Sequence, residues 1–397
     1  HHLPGEAAPD AAAIVNPKLD GRGGASDQLT GVGMALKLAQ ALLEPEADGD
    51  WADGLLELAA IGAITDLAPL QGENRYVVHR GLRQLRRTRN AGLLALMRSA
   101  GVEQAFADAQ DIGYRIGPRL NAAGRLGHAD SAYELLMADD AGRAAELAAE
   151  MEEQNRRRQQ LTEQTLEAAL AQIESAGGPG ALAVAGDGDF NPGVVGLVAG
   201  KLAERYGVPA LVYARDGDAA RASCRAAASG FHWRDALASI APLLDRFGGH
   251  EQAAGFSCSA ERLPEALERL RAVAAERLDG RLGPADGVID AEASPADLMR
   301  GGEFKAMQRM APFGVGNPAP LFLAQGVEAV RVNTMGADGQ HLRLSVRHGG
   351  ALWDAVAFRQ SWAAGVRRAH LVYRLEVDRF RGNERLRLNV EDYAPAG

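Results

Sequence analysis

The chain has 397 residues, of which 47% are hydrophobic and 24% charged, and a formal net charge of −9. That composition is of the ordinary globular kind, with length for two or three cored domains. The acidic balance argues against indiscriminate coating of nucleic acid, yet leaves room for a local basic groove, because phosphate contacts are made by patches rather than totals.

No apolar run approaches the roughly eighteen residues that a membrane-spanning helix needs, and the opening residues do not read as a secretory leader. The two cysteines, Cys224 and Cys258, stand in no CxxC spacing, which fits a reducing cytoplasm. In chain order, residues 29–43 and 55–64 carry apolar side chains at helical spacing, the second running into a turn at 65–70. Residues 140–175 are dense in Ala, Leu, Glu, Gln and Arg with no late Gly or Pro. About thirty such residues make a helix of about 45 Å, long enough to link two lobes, with the run Arg156-Arg157-Arg158 read first as a solvated face and, as the lesser alternative, as facing a groove.

From 178 to 280 the pattern is α/β. Short apolar strands at 181–185 and 209–214 alternate with helices at 193–205, 233–245 and 263–278. From 285 to 394 five alternating or apolar runs follow, at 327–332, 341–347, 352–358, 370–380 and 384–390. Turns separate them, and the set suits a small closed barrel of the OB type.

Five stretches carry candidate chemistry. His1-His2-Leu3-Pro4-Gly5 reads either as a tag remnant or as the end of a metal-binding turn. The orderly continuation into 11–17 favours the turn. Asp66 follows an apolar helix and reads alone as a cap; beside imidazoles it becomes a ligand suited to Mn²⁺ or Mg²⁺. In 116–125, Arg119, Asn121 and Arg125 sit among small residues, either as a solvated Gly-Pro loop or as a phosphate fork. Ser223-Cys224-Arg225 comes next. Last is Gly248-Gly249-His250, where paired glycines let backbone amides approach an anion or simply make a turn.

The order of these stretches resembles the RecJ family of single-stranded-DNA-specific 5′ to 3′ exonucleases, within the DHH phosphoesterase superfamily. The resemblance covers essentially the whole chain. His1-His2 would be the tail of an Asp-His-His motif, followed by the Asp66 turn, Arg119-Leu120-Asn121-Ala122-Ala123-Gly124-Arg125, Asn191-Pro192-Gly193 and Gly248-Gly249-His250. Pro312-Phe313-Gly314-Val315-Gly316-Asn317-Pro318 leads into the barrel. The resemblance implies the end of a DHH domain over 1–135, a linking helix over 136–176, a DHHA1 domain over 177–280 and an OB-type barrel over 285–395. It also implies two Mn²⁺ or Mg²⁺ ions, with His1 and Asp66 as metal ligands and His2 and His250 as catalytic residues facing the phosphate. Arg119, Asn121, Arg125, Ser223, Arg225, Gly248 and Gly249 would hold the DNA backbone and its 5′ phosphate. In the barrel, Arg374, Arg379, Phe380, Arg381 and Trp353 are candidate contacts for single-stranded DNA, or else ordinary barrel residues.

The implied function is 5′ to 3′ digestion of single-stranded DNA in repair and recombination, by a cytoplasmic monomer that works with a helicase and a single-strand-binding protein. Three departures stand out. The family's leading Asp-x-Asp motif, a bridging Asp and the Asp before the two histidines would lie before residue 1, so the chain as given is expected to be inactive alone. Asn191 stands where the family pattern has His, and Ala226 where it has Ser. Two alternatives stay open: a DHH-type oligoribonuclease or nucleotide phosphatase, and a non-catalytic single-stranded-DNA-binding relative.

Overall fold

The computed structural model describes residues 10–19, 27–43, 51–226, 230–278, 288–299, 302–336, 339–378 and 385–396, with the backbone alone at 51–53. The chain divides into two compact units, one of His1–Arg87, Ala107–Ala109 and Gly287–Gly397, the other of Thr88–Phe106 and Gln110–Asp286.

The first unit begins with three helices, α1 (Gly31–Leu43), α2 (Trp51–Thr65) and α3 (Gly72–Leu85). Leu36, Leu56, Ala59 and Val77 form a small shared core among them. Helix α2 ends abruptly: the Ala68 N–H donates to Ala63 O at 3.0 Å and the Leu67 N–H to Ile64 O at 3.1 Å. This pair of bonds is a Schellman closure, with Asp66 as the C-cap and Leu67 in the left-handed position at φ 56°. Glycine usually fills that position, because a Cβ there meets the following carbonyl. Past the turn, buried Asn74 donates from Nδ2 to Pro69 O (3.2 Å) and Gln28 O (2.6 Å), fastening the segment to α3.

The second unit contains α4 (Ala91–Ser99), and the chain then passes through α5 (Ala109–Asp111) and the π-helical turn Ile112–Ile116 into α6 (Gly117–Leu126). Residues 116–125 are therefore not a Gly-Pro loop. Pro118 sits in the first turn, where a missing N–H is harmless, and Ala122 and Ala123 are buried. After α7 (Asp130–Leu136) comes α8 (Ala141–Ser175), whose 35 residues span about 52 Å. Asp140 caps it by accepting the Arg143 N–H at 2.7 Å. Among its buried positions are Met151, Asn155, Thr162, Thr165, Ala169 and Ile173, spaced by three, four or seven as one helical face requires.

A five-stranded sheet follows, in the order β1-β2-β3-β5-β4. Its strands are β1 (Ala183–Asp187), β2 (Ala210–Asp216), β3 (Ala219–Arg225), β4 (Arg246–Gly249) and β5 (Ala253–Ser259). Only β1 and β2 are parallel, joined by the crossover helix α9 (Val195–Tyr206). One face packs on α8 and α9 through Ile173, Val198, Leu202 and Val212. The other carries α10 (Trp233–Ser239) and α11 (Leu263–Leu278), with Trp233, Leu237, Leu267 and Cys224 in its core. The helix expected over 233–245 stops at Ser239: a 3₁₀ turn at Ala241–Leu243, containing Pro242, intervenes before β4 starts.

The first unit resumes with β6 (Ala291–Glu292), α12 (Pro295–Met299) and α13 (Glu303–Gln308). Then come β7 (Phe322–Met335), β8 (His341–His348), β9 (Ala351–Ala357), β10 (Arg368–Asp378) and β11 (Arg385–Pro395). They run in the order β10-β11-β9-β8-β7, and β10 also pairs with β7, so five strands close into a barrel with β6 appended. Phe322, Leu344, Val346, Leu371, Tyr373 and Leu388 fill it, and the Tyr373 hydroxyl donates to Ala293 O at 2.9 Å. The segment before the barrel docks on the Asp66 turn's neighbours within this unit. The Leu70 N–H donates to Val315 O (2.6 Å), Gln71 Nε2 to Gly316 O (2.8 Å) and Arg75 Nη2 to Met310 O (2.6 Å). Asn317 Nδ2 braces that loop from inside, donating to Pro312 O at 2.7 Å.

Leu67 is 71% exposed, so its left-handed backbone is not offset by burial. Leu67→Gly should therefore raise unfolding stability by about 1 kcal/mol in a urea titration. A loss of stability would show that the Leu67 side chain holds something.

Candidate phosphate-binding site

Successive side chains of β3 point to opposite faces of the sheet, one face buried and the other only partly so. Ala220, Ala222 and Cys224 point into the core beneath α10 and α11, which leaves Ser223 and Arg225 on the face covered by α9. Helix α9 lies close over them. A Cβ added to Gly196, in its first turn, would stand 3.0 Å from Arg225 Nη2 and 3.4 Å from Ser223 Oγ. The Arg225 side chain also donates from Nη1 to the carbonyl of its own neighbour Cys224 at 2.8 Å, which limits its swing. The N-cap, Val194, offers no side chain to the helix's leading amides, so the positive end of the α9 dipole opens beside a guanidinium and a hydroxyl.

The loop before α9 is fixed by Asn191, whose Oδ1 accepts the Gly193 N–H at 2.8 Å. Gly193 meets the end of α6 so tightly that a Cβ would fall 2.1 Å from Arg125 O. That contact brings Arg125 to the same place, and its Nη1 donates to Gly193 O at 3.4 Å. Arg119 is held elsewhere on α6. Its Nε donates to Glu152 Oε2 on α8 at 2.6 Å and its Nη1 to Arg115 O at 2.7 Å, so it fastens α6 to α8.

Charge in this region is one-sided. Burial lowers the pKa of Arg125. Burial also lowers Arg225, with repulsion from Arg125 added. Arg158 behaves likewise, lowered first by burial and then by Arg125 and Arg119. None of the three has a carboxylate partner among the described residues, and the Arg158 Nε is buried without a hydrogen bond. All three stay protonated at neutral pH, so the cluster is cationic, with no carboxylate counter-charge among the described residues. Arg156 and Arg157 are exposed as expected of a solvated face, but Arg158 is not. The signal was present in the spacing: Met151, Asn155, Arg158, Thr162 and Thr165 fall on one helical face.

The Gly248-Gly249-His250 stretch closes the same sheet at its β4 edge. Gly249 has φ 132° and a Cβ there would lie 2.4 Å from Ala253 O, so only glycine fits. The His250 N–H donates to Ala253 O (2.8 Å), Ala226 N–H to Gln252 O (2.8 Å) and Trp233 N–H to Glu251 O (2.9 Å). The turn bearing His250 is thus stapled by its backbone while the imidazole is exposed. Ala253 pairs with Arg225 across β5 and β3, which puts the His250 backbone two strand spacings, about 10 Å, from that of Arg225.

Gly248 is exposed on β4, and Asn121 is exposed on α6 opposite buried Ala122 and Ala123. Asp66 belongs to the other unit, exposed at the end of α2. His1 and His2 lie outside the described residues, as do Arg379, Phe380 and Arg381 in the barrel. Of the remaining barrel candidates, Trp353 packs against the core with its indole N–H buried, and Arg374 is occupied by Glu391 at 2.9 Å and by the Ala319 carbonyl. Among the described residues Phe358 is an exposed barrel aromatic, standing edge-on to His341 with ring centres 5.4 Å apart.

A divalent metal needs several oxygen or imidazole donors converging on one point. Among the described residues no group of three His, Cys, Asp or Glu side chains does so, and Asp66 alone does not make a metal site. No helix among them is long and apolar enough to cross a membrane.

An α/β domain of mixed topology carrying a cluster of arginines, followed in the chain by an OB-type barrel, is the DHHA1 and OB domain pair. The DHHA1 domain family matches residues 178–276, and the RecJ OB domain family matches residues 289–392. The single-stranded-DNA-specific exonuclease RecJ of Bacillus subtilis is 36% identical over 99% of this chain and 50% of its own length. The Salmonella typhimurium protein of that name is 33% identical over all of this chain and 72% of its own length. A crystal structure of RecJ in complex with Mn²⁺ from Thermus thermophilus superposes with a TM-score of 0.84 at 30% identity, covering all of this chain and 57% of that one. The Thermus protein has also been solved with Mg²⁺. The chain belongs to the RecJ family, and it spans about half the length of the first of these relatives.

The Arg119–Glu152 pair gives a direct check on the scaffold. Burial works to raise the Glu152 pKa, but hydrogen bonds and charge from Arg119 and then Arg156 outweigh it and hold it below the usual carboxylate range. Such a group stabilises the fold above its unfolded pKa, and that stabilisation is lost as the pH falls through the folded one. Glu152→Gln should cost about 1–3 kcal/mol in urea unfolding at pH 7, with the gap to wild type closing below about pH 4. A gap independent of pH would remove the ion pair from the account.

Proposed function

We propose that this protein is a metal-dependent exonuclease that degrades single-stranded DNA from its 5′ end. The observation that carries the reading is the cluster of Arg125, Ser223 and Arg225 beneath the first turn of α9, cationic and without a carboxylate partner among the described residues. A terminal phosphate supplies the charge that this pocket lacks, and guanidinium forks with helix amides are the donors suited to its oxygens. The family's substrate fits the same chemistry, since the relatives are named single-stranded-DNA-specific exonucleases.

In this reading Arg225 and Ser223 bind the 5′ phosphate, Arg125 neutralises the strand beside it, and Asn121 and Gly248 line its path. His250, on its stapled turn, donates a hydrogen bond to the scissile phosphate and stabilises the charge that builds there. Gly249 gives that turn its shape. Arg119 serves by holding α6, and with it Arg125, against α8. The cofactors are two Mn²⁺ or Mg²⁺ ions of the kind found in the Thermus structures, with Asp66 and His1 as ligands and His2 beside the phosphate. When bound, they supply an activated water. The OB-type barrel holds the single strand, the protein acts as a cytoplasmic monomer in DNA repair and recombination, and a helicase and single-strand-binding protein are its partners.

The natural full-length protein with Mn²⁺ should digest 5′-labelled single strands and spare blunt duplex. Equal digestion of both would overturn the strand specificity. His250→Ala should lower turnover about a hundredfold or more with DNA affinity little changed. An unaffected rate would remove His250 from the site.

A further inference from the structure

Helix α8 changes character along its buried face. At its start Ala144, Leu147, Ala148 and Met151 are apolar, and at its end Ala169 and Ile173 pack into the core under α9. Between them the face is polar: Asn155, Arg158, Thr162 and Thr165. A buried polar stretch on an otherwise apolar stripe weakens packing, so its hydrogen bonds should be satisfied. They are not. The Asn155 Oδ1 and the Arg158 Nε are both buried without a partner among the described residues, while Thr162 bonds only back to the Arg158 carbonyl at 2.7 Å. The cations near Arg158 are Arg125 and Arg119, and of these Arg119 is already neutralised by Glu152.

A long cation held in a partly buried place, against like charge and with an open donor, is an arrangement that an incoming anion relieves. We propose that Arg158 is a further phosphate-binding residue, supplied by α8, which extends the Arg125–Ser223–Arg225 pocket to a second phosphate of the same single strand. The proposal rests on the single-strand reading above. Arg125 is the shared member, with Arg225 and the α9 terminus on one side and Arg158 with the polar face of α8 on the other. Two phosphates of one strand are thus read by two elements, the sheet and the long helix.

The test is the salt dependence of binding of 5′-phosphorylated oligothymidylate to the full chain, without metal. Each phosphate neutralised on a single strand contributes about 0.7 to the slope of log K against log salt. Arg158→Ala should reduce the slope by about that amount and weaken binding about tenfold or more at low salt. Arg157→Ala, one residue away and exposed, should leave the slope unchanged. Arg158→Lys should restore the slope, because the charge is kept, with affinity only partly recovered. The thermal midpoint of Arg158→Ala should equal or exceed that of wild type, since the arginine has no partner to lose.

A wild-type slope and affinity in Arg158→Ala would overturn the proposal, as would weaker binding that comes with a lower thermal midpoint and an unchanged slope. If Arg125→Ala and Arg225→Ala also leave binding unaltered, the single-strand reading itself fails. If those two weaken binding and Arg158→Ala does not, only the role of Arg158 falls.

Discussion

Positive charge held without a counter-charge is the constraint around which the second unit is built. Arg125, Arg158 and Arg225 are each partly removed from water, and burial lowers the pKa of all three. Removing a cation from water costs free energy unless an anion compensates, and here none of the described carboxylates does. The first turn of α9 adds the positive end of its dipole to the same spot. The fold tolerates this because other contacts fix the three elements independently of the arginines.

Those contacts are short and specific. Arg119 and Glu152 join α6 to α8, and Asn191 shapes the loop that sets Gly193 against the end of α6. Gly196 lets α9 lie close over β3, where a Cβ would stand 3.0 Å from Arg225 Nη2. At the far edge, three backbone hydrogen bonds staple the His250 turn to the ends of β3, β5 and α10. The cluster is thus preorganised by backbone and by one partly buried ion pair. Arg125 and Arg225 each spend one Nη1 donor on a backbone carbonyl, which fixes their place while leaving them without a carboxylate.

Much of this architecture was legible in the sequence, and the exceptions have physical causes. The barrel strands announce themselves by alternation: the run at 341–347 forms β8 at His341–His348, and α11 occupies the full periodic stretch at Leu263–Leu278. Strands β3 and β5 gave no such sign, because Ala, Ser, Cys and Gly have weak β preference and their pairing is decided by neighbours. The Arg119–Arg125 stretch resembled a loop because Gly and Pro are read as breakers, although Pro in a first turn favours a helix. Arg158 was hidden inside a run of three arginines, and only the helical period separates it from its exposed neighbours. Gly196 carried no sequence signal, since its meaning lies in a contact with Ser223 and Arg225, 27 and 29 positions away.

The likeness to Thermus RecJ extends over the whole chain, so the cationic pocket sits in a frame shared with an enzyme that was solved with its metal. The missing counter-charge is what the proposed phosphate would supply. The most direct measurement compares the dissociation constants of 5′-phosphorylated and 5′-hydroxyl oligothymidylates for wild type and Arg225→Ala at fixed salt. Wild type should prefer the phosphorylated strand by about tenfold or more, and Arg225→Ala should bind both alike. Equal affinity for the two strands in wild type would contradict the account.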